Sequence, residues 1–427
     1  MRIAIRGGRL LDPAHQIDAL LDLFIADGHI VGIGQTPDGF AADREIAADC
    51  RIVCPGLIDL CARLREPGHE HKATIASESK AAAAAGITTL VCPPDTDPVI
   101  DEPAVVELIR RRAKAAGYSR VLTLGALTHR LRGERLAEMA ALQEAGCVGV
   151  SDGGKPIVNT LVLRRALEYA ATFNLTAFLT PLDPWLGHGV AHEGPVATRM
   201  GLSGIPAAAE TGAIARDLEL IRSIGVRVHF GRLSSARAVE LVARAQAEGL
   251  PVTADVAAHQ LHLTEMDLAG FDSQCHVQPP LRSGRDKDAL RAGIASGAVG
   301  AICSDHQPHE PDAKQAPFAD TEPGVSGLDT LLGLSLRLAQ DGALPLLTVI
   351  ERLTWGPARI LGLDSGHLGV GAVADVCIFD PEADWRVTAE ALHSRGQNSP
   401  FIGWELPGRV THTLLEGRVV YEAAELR

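Results

Sequence analysis

The chain has 427 residues, of which 46% are hydrophobic and 22% charged, and its formal net charge is −13. That composition suits a soluble globular protein with a large core, and the acidic balance argues against nucleic acid, whose phosphates attract basic surfaces. No stretch approaches the roughly 18 apolar residues of a membrane span, the first residues lack the apolar core of a signal peptide, and eight scattered cysteines do not make a disulfide framework, so a reduced, cytoplasmic protein is expected.

In chain order, Arg2–Ile5, Asp22–Ala26 and His29–Ile33 are short alternating runs between Gly and Asp turns, and they predict strands. From Leu57 the pattern changes. Apolar, β-branched runs begin near Leu57, Ile87, Val121, Val148, Leu175, Val226, Val252 and Val299, with helical sequence between them. Ile75–Ala85 is Ala-rich, has helical spacing and stops at Gly86, a common C-cap residue; Ala236–Glu248 and Lys287–Ser296 read the same way. Eight strands, each followed by helical sequence, predict an α/β fold, a (β/α)8 barrel, with a doubly wound open sheet as the competing arrangement. Strand-like runs return at Ala374–Phe379, Arg409–Leu415 and Val419–Tyr421. The expected organisation is a barrel over residues 54–365 and a small composite β domain built from residues 1–53 and 366–427.

Barrel enzymes carry their chemistry at the C-terminal ends of the strands and in the loops after them. Past the first run, residues 55–68 read Pro-Gly-Leu-Ile-Asp-Leu-Cys-Ala-Arg-Leu-Arg-Glu-Pro-Gly, and past the last run residues 301–309 read Ala-Ile-Cys-Ser-Asp-His-Gln-Pro-His. Residues 369–380 contain G-x-G-A-x-A-D-x-x-x-F-D. Together these stretches resemble the dihydroorotases and their amidohydrolase relatives, and the resemblance extends over nearly the whole chain. It implies a TIM-type barrel of the amidohydrolase kind and a site in which one or two divalent cations activate water and polarise a carbonyl.

Measured against that pattern, the ligand positions are degenerate. The first-strand motif P-G-x-I-D-x-H-x-H-x-R-E-P-G has Cys61 and Arg63 where the two histidines belong. A guanidinium is cationic at physiological pH and has no lone pair to offer a metal. On the fourth strand one of two adjacent aspartates survives as Asp152 and the other is Gly153; which of the two was the ligand stays open. On the fifth, Thr180 replaces a histidine and Leu182 a glutamate, while Asp183 remains. On the sixth, Arg232 stands at the ligand position and His229 precedes it, as a packing residue would. His69 and His71 form an H-x-H past the Pro67-Gly68 turn and read as a decoy. The last strand is kept: Asp305 matches the proton-shuttling aspartate and His309 a substrate-contacting histidine. Arg65 matches the arginine that binds the substrate carboxylate. Asp95 and Gln278 stand where the family has asparagines, and an acid at 95 is expected to repel a carboxylate-bearing substrate.

The resemblance therefore points to a noncatalytic dihydroorotase homologue of pyrimidine biosynthesis. It implies no zinc or other metal cofactor, vestigial roles for Asp305, Arg65, Asp95 and His309, and assembly with aspartate transcarbamoylase catalytic chains as a homo- or hetero-oligomer, with no nucleic acid or membrane partner. Two alternatives remain. One is an active cyclic amidohydrolase with a site rebuilt from Cys61, Asp152, Asp183, Asp305 and a histidine from a loop. The other is a metal-independent binder of a small acid through Arg65, Arg63 and Arg232. In either pseudoenzyme case the retained carboxylates need counter-charges, so Arg63 or Arg232 is expected to hydrogen-bond Asp305 or Asp152.

Overall fold

The computed structural model of the chain describes residues 1–424. Its centre is an eight-stranded parallel sheet: β1 Leu57–Asp59, β2 Ile87–Cys92, β3 Arg120–Ala126, β4 Gly149–Ser151, β5 Ala177–Leu179, β6 Val228–Phe230, β7 Val252–Ala257 and β8 Ala301–Cys303. Sequence order equals sheet order throughout. The ring closes just beyond β1 and β8. There Ala62 bridges His306, Arg63 N donates to the His306 carbonyl at 2.9 Å, and Asp59 accepts from Ser304 N at 2.9 Å. This closure is the (β/α)8 barrel read from the eight apolar runs, and it rules out the open doubly wound sheet. Every residue of β1, β4, β5, β6 and β8 is buried, as expected for parallel strands covered on both faces.

Helix α1, Ile75–Ala84, shows how the connections are set. The Thr74 hydroxyl accepts from Ser77 N at 3.1 Å and the Ser77 hydroxyl accepts from Thr74 N at 3.0 Å, a reciprocal cap. Ala81–Ala84 are buried, small enough to let the helix lie close to the sheet. The turn that follows needs Gly86, whose φ is +81° and whose missing Cβ leaves room for the Cys377 sulfur. Barrel and C-terminal strand thus touch where a larger residue would hold them apart.

The outer β structure joins both chain ends. One six-stranded sheet runs, from edge to edge, Arg418–Glu422, Arg409–Leu415, Val376–Asp380, Ile52–Pro55, Arg9–Asp12 and Ile17–Leu20. A four-stranded sheet is wholly N-terminal: His29–Ile33, Leu23–Ala26, Arg2–Arg6 and Arg44–Ala47. They share a core that includes Ile5, Leu10, Leu23, Val53, Val376 and Ile378. Four of these strands, Arg9–Asp12, Ile17–Leu20, Arg44–Ala47 and Ile52–Pro55, were not expected from the sequence. Each has four residues, too few for alternation to register, and Ile52–Pro55 reads as the lead-in to β1. Among the described residues no helix is long and apolar enough to cross a membrane.

Candidate functional site

The loops after the barrel strands enclose a cavity of about 250 Å³ lined by Arg63, Arg65, Asp95, Lys155, Thr180, Arg232 and His309, among others. Three residues around it have backbone that side chains rarely adopt: φ is 63° at Arg65, 60° at Arg232 and 46° at Asp305. Each such residue costs of order 1–3 kcal/mol, and strain of this kind clusters at functional sites. Here it turns two guanidiniums and a carboxylate toward one space.

The centre of that space is a charge cluster. Asp305 Oδ1 accepts from Arg232 Nη1 at 3.1 Å and from Arg63 Nη1 at 3.3 Å. The expected arginine–aspartate pairing is present, and both arginines take part. Arg63 Nε also donates to Asp95 Oδ2 at 2.6 Å, and Arg232 Nη2 to Thr180 Oγ1 at 3.0 Å. Burial on its own would raise the Asp305 pKa; Arg232, then Arg63, outweigh it and hold the carboxyl below its ordinary range. Burial likewise opposes the charge on both arginines, but Asp95 keeps Arg63, and Asp305 keeps Arg232, above the usual value. The Cys61 sulfur lies 3.6 Å from Asp305 Oδ1, and burial pushes its thiol well up, so it is protonated. Asp95 differs from expectation: its charge is not presented to a ligand but is matched by Arg63.

Asp152 does not join the cluster. Its carboxylate accepts from Thr180 N at 2.8 Å and Gly154 N at 3.0 Å, bracing the β4 and β5 ends against each other. Gly153 takes φ +59°, and a Cβ there would meet Leu131 at 2.7 Å, so no side chain at 153 has room without a shift. Asp183 lies in the loop after β5 and accepts from Trp185 N and Leu186 N at 2.9 and 3.0 Å, shaping that loop. His229 is a packing residue, as its apolar strand indicates: its ring nitrogens meet Thr253 Oγ1 at 2.9 Å and Asp255 Oδ2 at 3.1 Å. His69 and His71 sit in the turns before α1, and His71 is exposed with Glu310 4.0 Å away.

Arg65 occupies a different setting from the paired arginines. It donates to the Pro308 carbonyl at 3.0 Å and lies 3.1 Å from His309 Nε2, both neutral partners. Burial, then the neighbouring Arg63, lowers its pKa to about 10. His309 is held neutral, at about 3, by burial and then by Arg65 and Lys72.

Two family models match the chain: Dihydro-orotase-like over residues 50–238 and Amidohydrolase family over residues 324–421. A dihydroorotase-like protein of Pseudomonas aeruginosa is 52% identical over 423 residues, covering 99% of this chain and 100% of that protein. The chain belongs to the dihydroorotase-like family. A dihydroorotase of Geobacter sp. (strain M21) is 45% identical over 427 residues, covering 99% of this chain and 100% of that one. Among solved structures, the L-hydantoinase (dihydropyrimidinase) from Arthrobacter aurescens superimposes with a TM-score of 0.89 at 24% identity, over 100% of this chain and 97% of the other. That likeness shows a shared fold, the barrel with its outer β structure.

The donor chemistry in this dihydroorotase-like site does not fit a catalytic divalent cation. The Asp305 oxygen that would face a metal is bonded to two guanidiniums. Arg63 and Arg232 have no lone pair to offer, and the Thr180 hydroxyl is neutral and already accepts from Arg232. Among the described residues no group of three or more His, Cys, Asp or Glu side chains is placed to hold a metal.

Some residues of the site escaped the sequence reading. Asp255, on β7, accepts from Arg232 N at 2.5 Å and holds His229, so it anchors the arginine loop from below. His259 follows β7 directly; it is buried, its Nε2 has no partner among the described residues, and burial lowers its pKa to about 4. Its position just past an apolar run was the available signal. Lys155 lines the cavity immediately after Gly153-Gly154, with no motif to mark it.

Proposed function

We propose that this dihydroorotase-like protein is a noncatalytic, cytoplasmic homologue acting in pyrimidine biosynthesis as a structural partner of aspartate transcarbamoylase catalytic chains. The observation that carries the loss of chemistry is the pair of guanidiniums on Asp305. They supply the positive charge that a metal would otherwise bring, so the barrel keeps its shape with no cation and no activated water. The partner is supplied by the family resemblance. The test is co-expression with the transferase chains followed by size-exclusion chromatography. One large species containing both proteins is expected; separate elution at micromolar concentrations removes the scaffold reading.

The dihydroorotase names of relatives such as the 45% identical Geobacter protein favour a second reading, an active cyclic amidohydrolase. The two part on one sample. Purified protein is expected to carry no stoichiometric zinc and to leave dihydroorotate absorbance unchanged. Arg63→His is expected to restore nothing, because Arg232 still occupies Asp305 and Thr180 and Cys61 remain. Turnover by the unaltered protein, abolished by a chelator, establishes the second reading instead.

A further inference from the structure

The barrel mouth does not end at its own rim. Gly154, Lys155, Leu182 and Gln278 line both the 250 Å³ cavity and an open trough of about 850 Å³ that runs outward over the loops after β3, β4 and β5. Val158, Val162, Leu182 and Pro184 give that trough an apolar lining. Beside it stand large apolar side chains in water: Trp185 is 75% exposed, Leu161 61% and Leu186 46%. The Trp185 ring lies 6.2 Å from that of His188, which lines the trough. These side chains are not displayed by a slack loop, since Asp183 ties Trp185 N and Leu186 N in place and Leu161 stands in the first turn of the helix Thr160–Thr172. Large exposed apolar side chains beside an apolar trough mark an interaction site, and tryptophan is among the residues enriched at the energetic centre of interfaces.

The charges around the trough indicate what it receives. Arg132 and Lys155 are exposed lining residues that form no ion pair among the described residues, and Glu134 is the one acid of the lining. At the inner end lies Arg65, a guanidinium with neutral partners only. The trough lining is thus locally basic and apolar on a chain of net charge −13, and the acids that line the inner cavity already have partners: Asp95 accepts from Arg63, Glu210 from Ser234, and Glu322 lies 3.8 Å from Lys72. We infer that it seats a segment of a partner polypeptide carrying apolar side chains and a carboxylate. The apolar groups lie in the trough against Trp185 and Leu161, and the carboxylate reaches Lys155 and Arg65. A second copy of this chain packed trough to trough would bring like charges together, which complementary interfaces avoid. A free small acid would use Arg65 and leave Trp185 and Leu161 uncovered.

The inference rests on the scaffold reading only for its first probe, the aspartate transcarbamoylase catalytic chain of the same organism. Binding is measured by biolayer interferometry for the unaltered protein, for Trp185→Glu/Leu161→Glu and for Lys155→Glu. Circular dichroism and the thermal midpoint serve as folding controls. The double variant is expected to bind at least tenfold more weakly, and Lys155→Glu several-fold more weakly with a reduced salt dependence. Equal binding by all three overturns this inference and leaves the scaffold reading intact. Failure of the unaltered protein to bind removes the scaffold reading, and the inference then stands or falls on a second probe. That probe is the peptide acetyl-Leu-Phe-Leu-Glu-amide against its glutamine twin. Tighter binding of the acid, lost in the double variant, supports it; no discrimination overturns it. A dimer of the protein by native mass spectrometry that the double variant dissolves also overturns it, because a second copy then fills the trough.

Discussion

Arg232→Ala is expected to lower the stability of the fold by about 3–5 kcal/mol, the range for removing one partner of a buried ion pair. The reason is geometric. Arg232 and Asp305 are each less than a tenth exposed, and Asp305 is left with longer contacts only, to Arg63 and Gln307 at 3.3 Å and to the Cys61 sulfur at 3.6 Å, of which Arg63 alone carries charge. The change also removes the donor to Thr180. Arg63→Ala is expected to cost less, about 2 kcal/mol, because Arg232 stays on Asp305 and the released Asp95 is about one-fifth exposed to water. Arg232→Met combined with Asp305→Leu, which removes both charges, is expected to lie within about 1 kcal/mol of the unaltered protein, as apolar replacements of buried pairs often do. Urea unfolding followed by circular dichroism orders the three. An Arg232→Ala midpoint indistinguishable from the unaltered one shows that Asp305 needs no counter-charge.

Acidification is expected to weaken the protein from about pH 6.5 downward, well above the range in which ordinary carboxylates titrate. His259, His262 and His276 are lowered from 6.5 to about 4, and His309 to about 3, in each case first by burial. The unfolded chain protonates these rings below about 6.5 while the folded chain does not. Their contribution is therefore complete above pH 6.5 and is lost as pH falls toward 4. Four such groups give a slope of about 5 kcal/mol per pH unit at most. Buried carboxylates work the other way: burial raises Asp59 and Asp217 to about 6 and also raises Asp152 and Glu210, so the folded state binds their protons first and offsets a large part of that slope, while His192 and His412, lowered by burial, add to it. Asp305, held low by its arginines, adds its loss only below about pH 4. Thermal midpoints measured from pH 7.5 to 4.5 check the sign, and His309→Gln flattens the curve. Midpoints that stay level to pH 5 mean that the four rings are not buried in the neutral form.

The barrel was legible because its strands are short, largely apolar runs, wholly buried except at Arg120, Leu122 and Thr253, and because helix signals separate them. The small strands at the chain ends were not, since four residues carry too little alternation and pair with partners far away in sequence. Cys61, Arg63, Thr180 and Arg232 were identified as altered positions from local motifs, and their convergence on Asp305 followed from barrel topology. What sequence could not give was direction. Nothing in Asp152 itself says that its carboxylate turns to backbone amides, and nothing in Asp95 says that Arg63 claims it. Those outcomes depend on how the loops after β1, β2, β4 and β5 converge at the barrel mouth, which no residue-type preference announces.

The pairing of Ile52–Pro55 with Val376–Asp380 also imposes an order on synthesis. At roughly 5–20 residues per second, the N-terminal strands leave the ribosome tens of seconds before the neighbour that covers them. All eight barrel strands emerge in that interval, while Ile52–Pro55 still has an open edge and Cys54 lacks its cover. An open strand edge is a template for pairing with other chains. A message cut short before residue 376 is therefore expected to leave that edge unpaired and open to pairing with other chains, even though every barrel strand has been made.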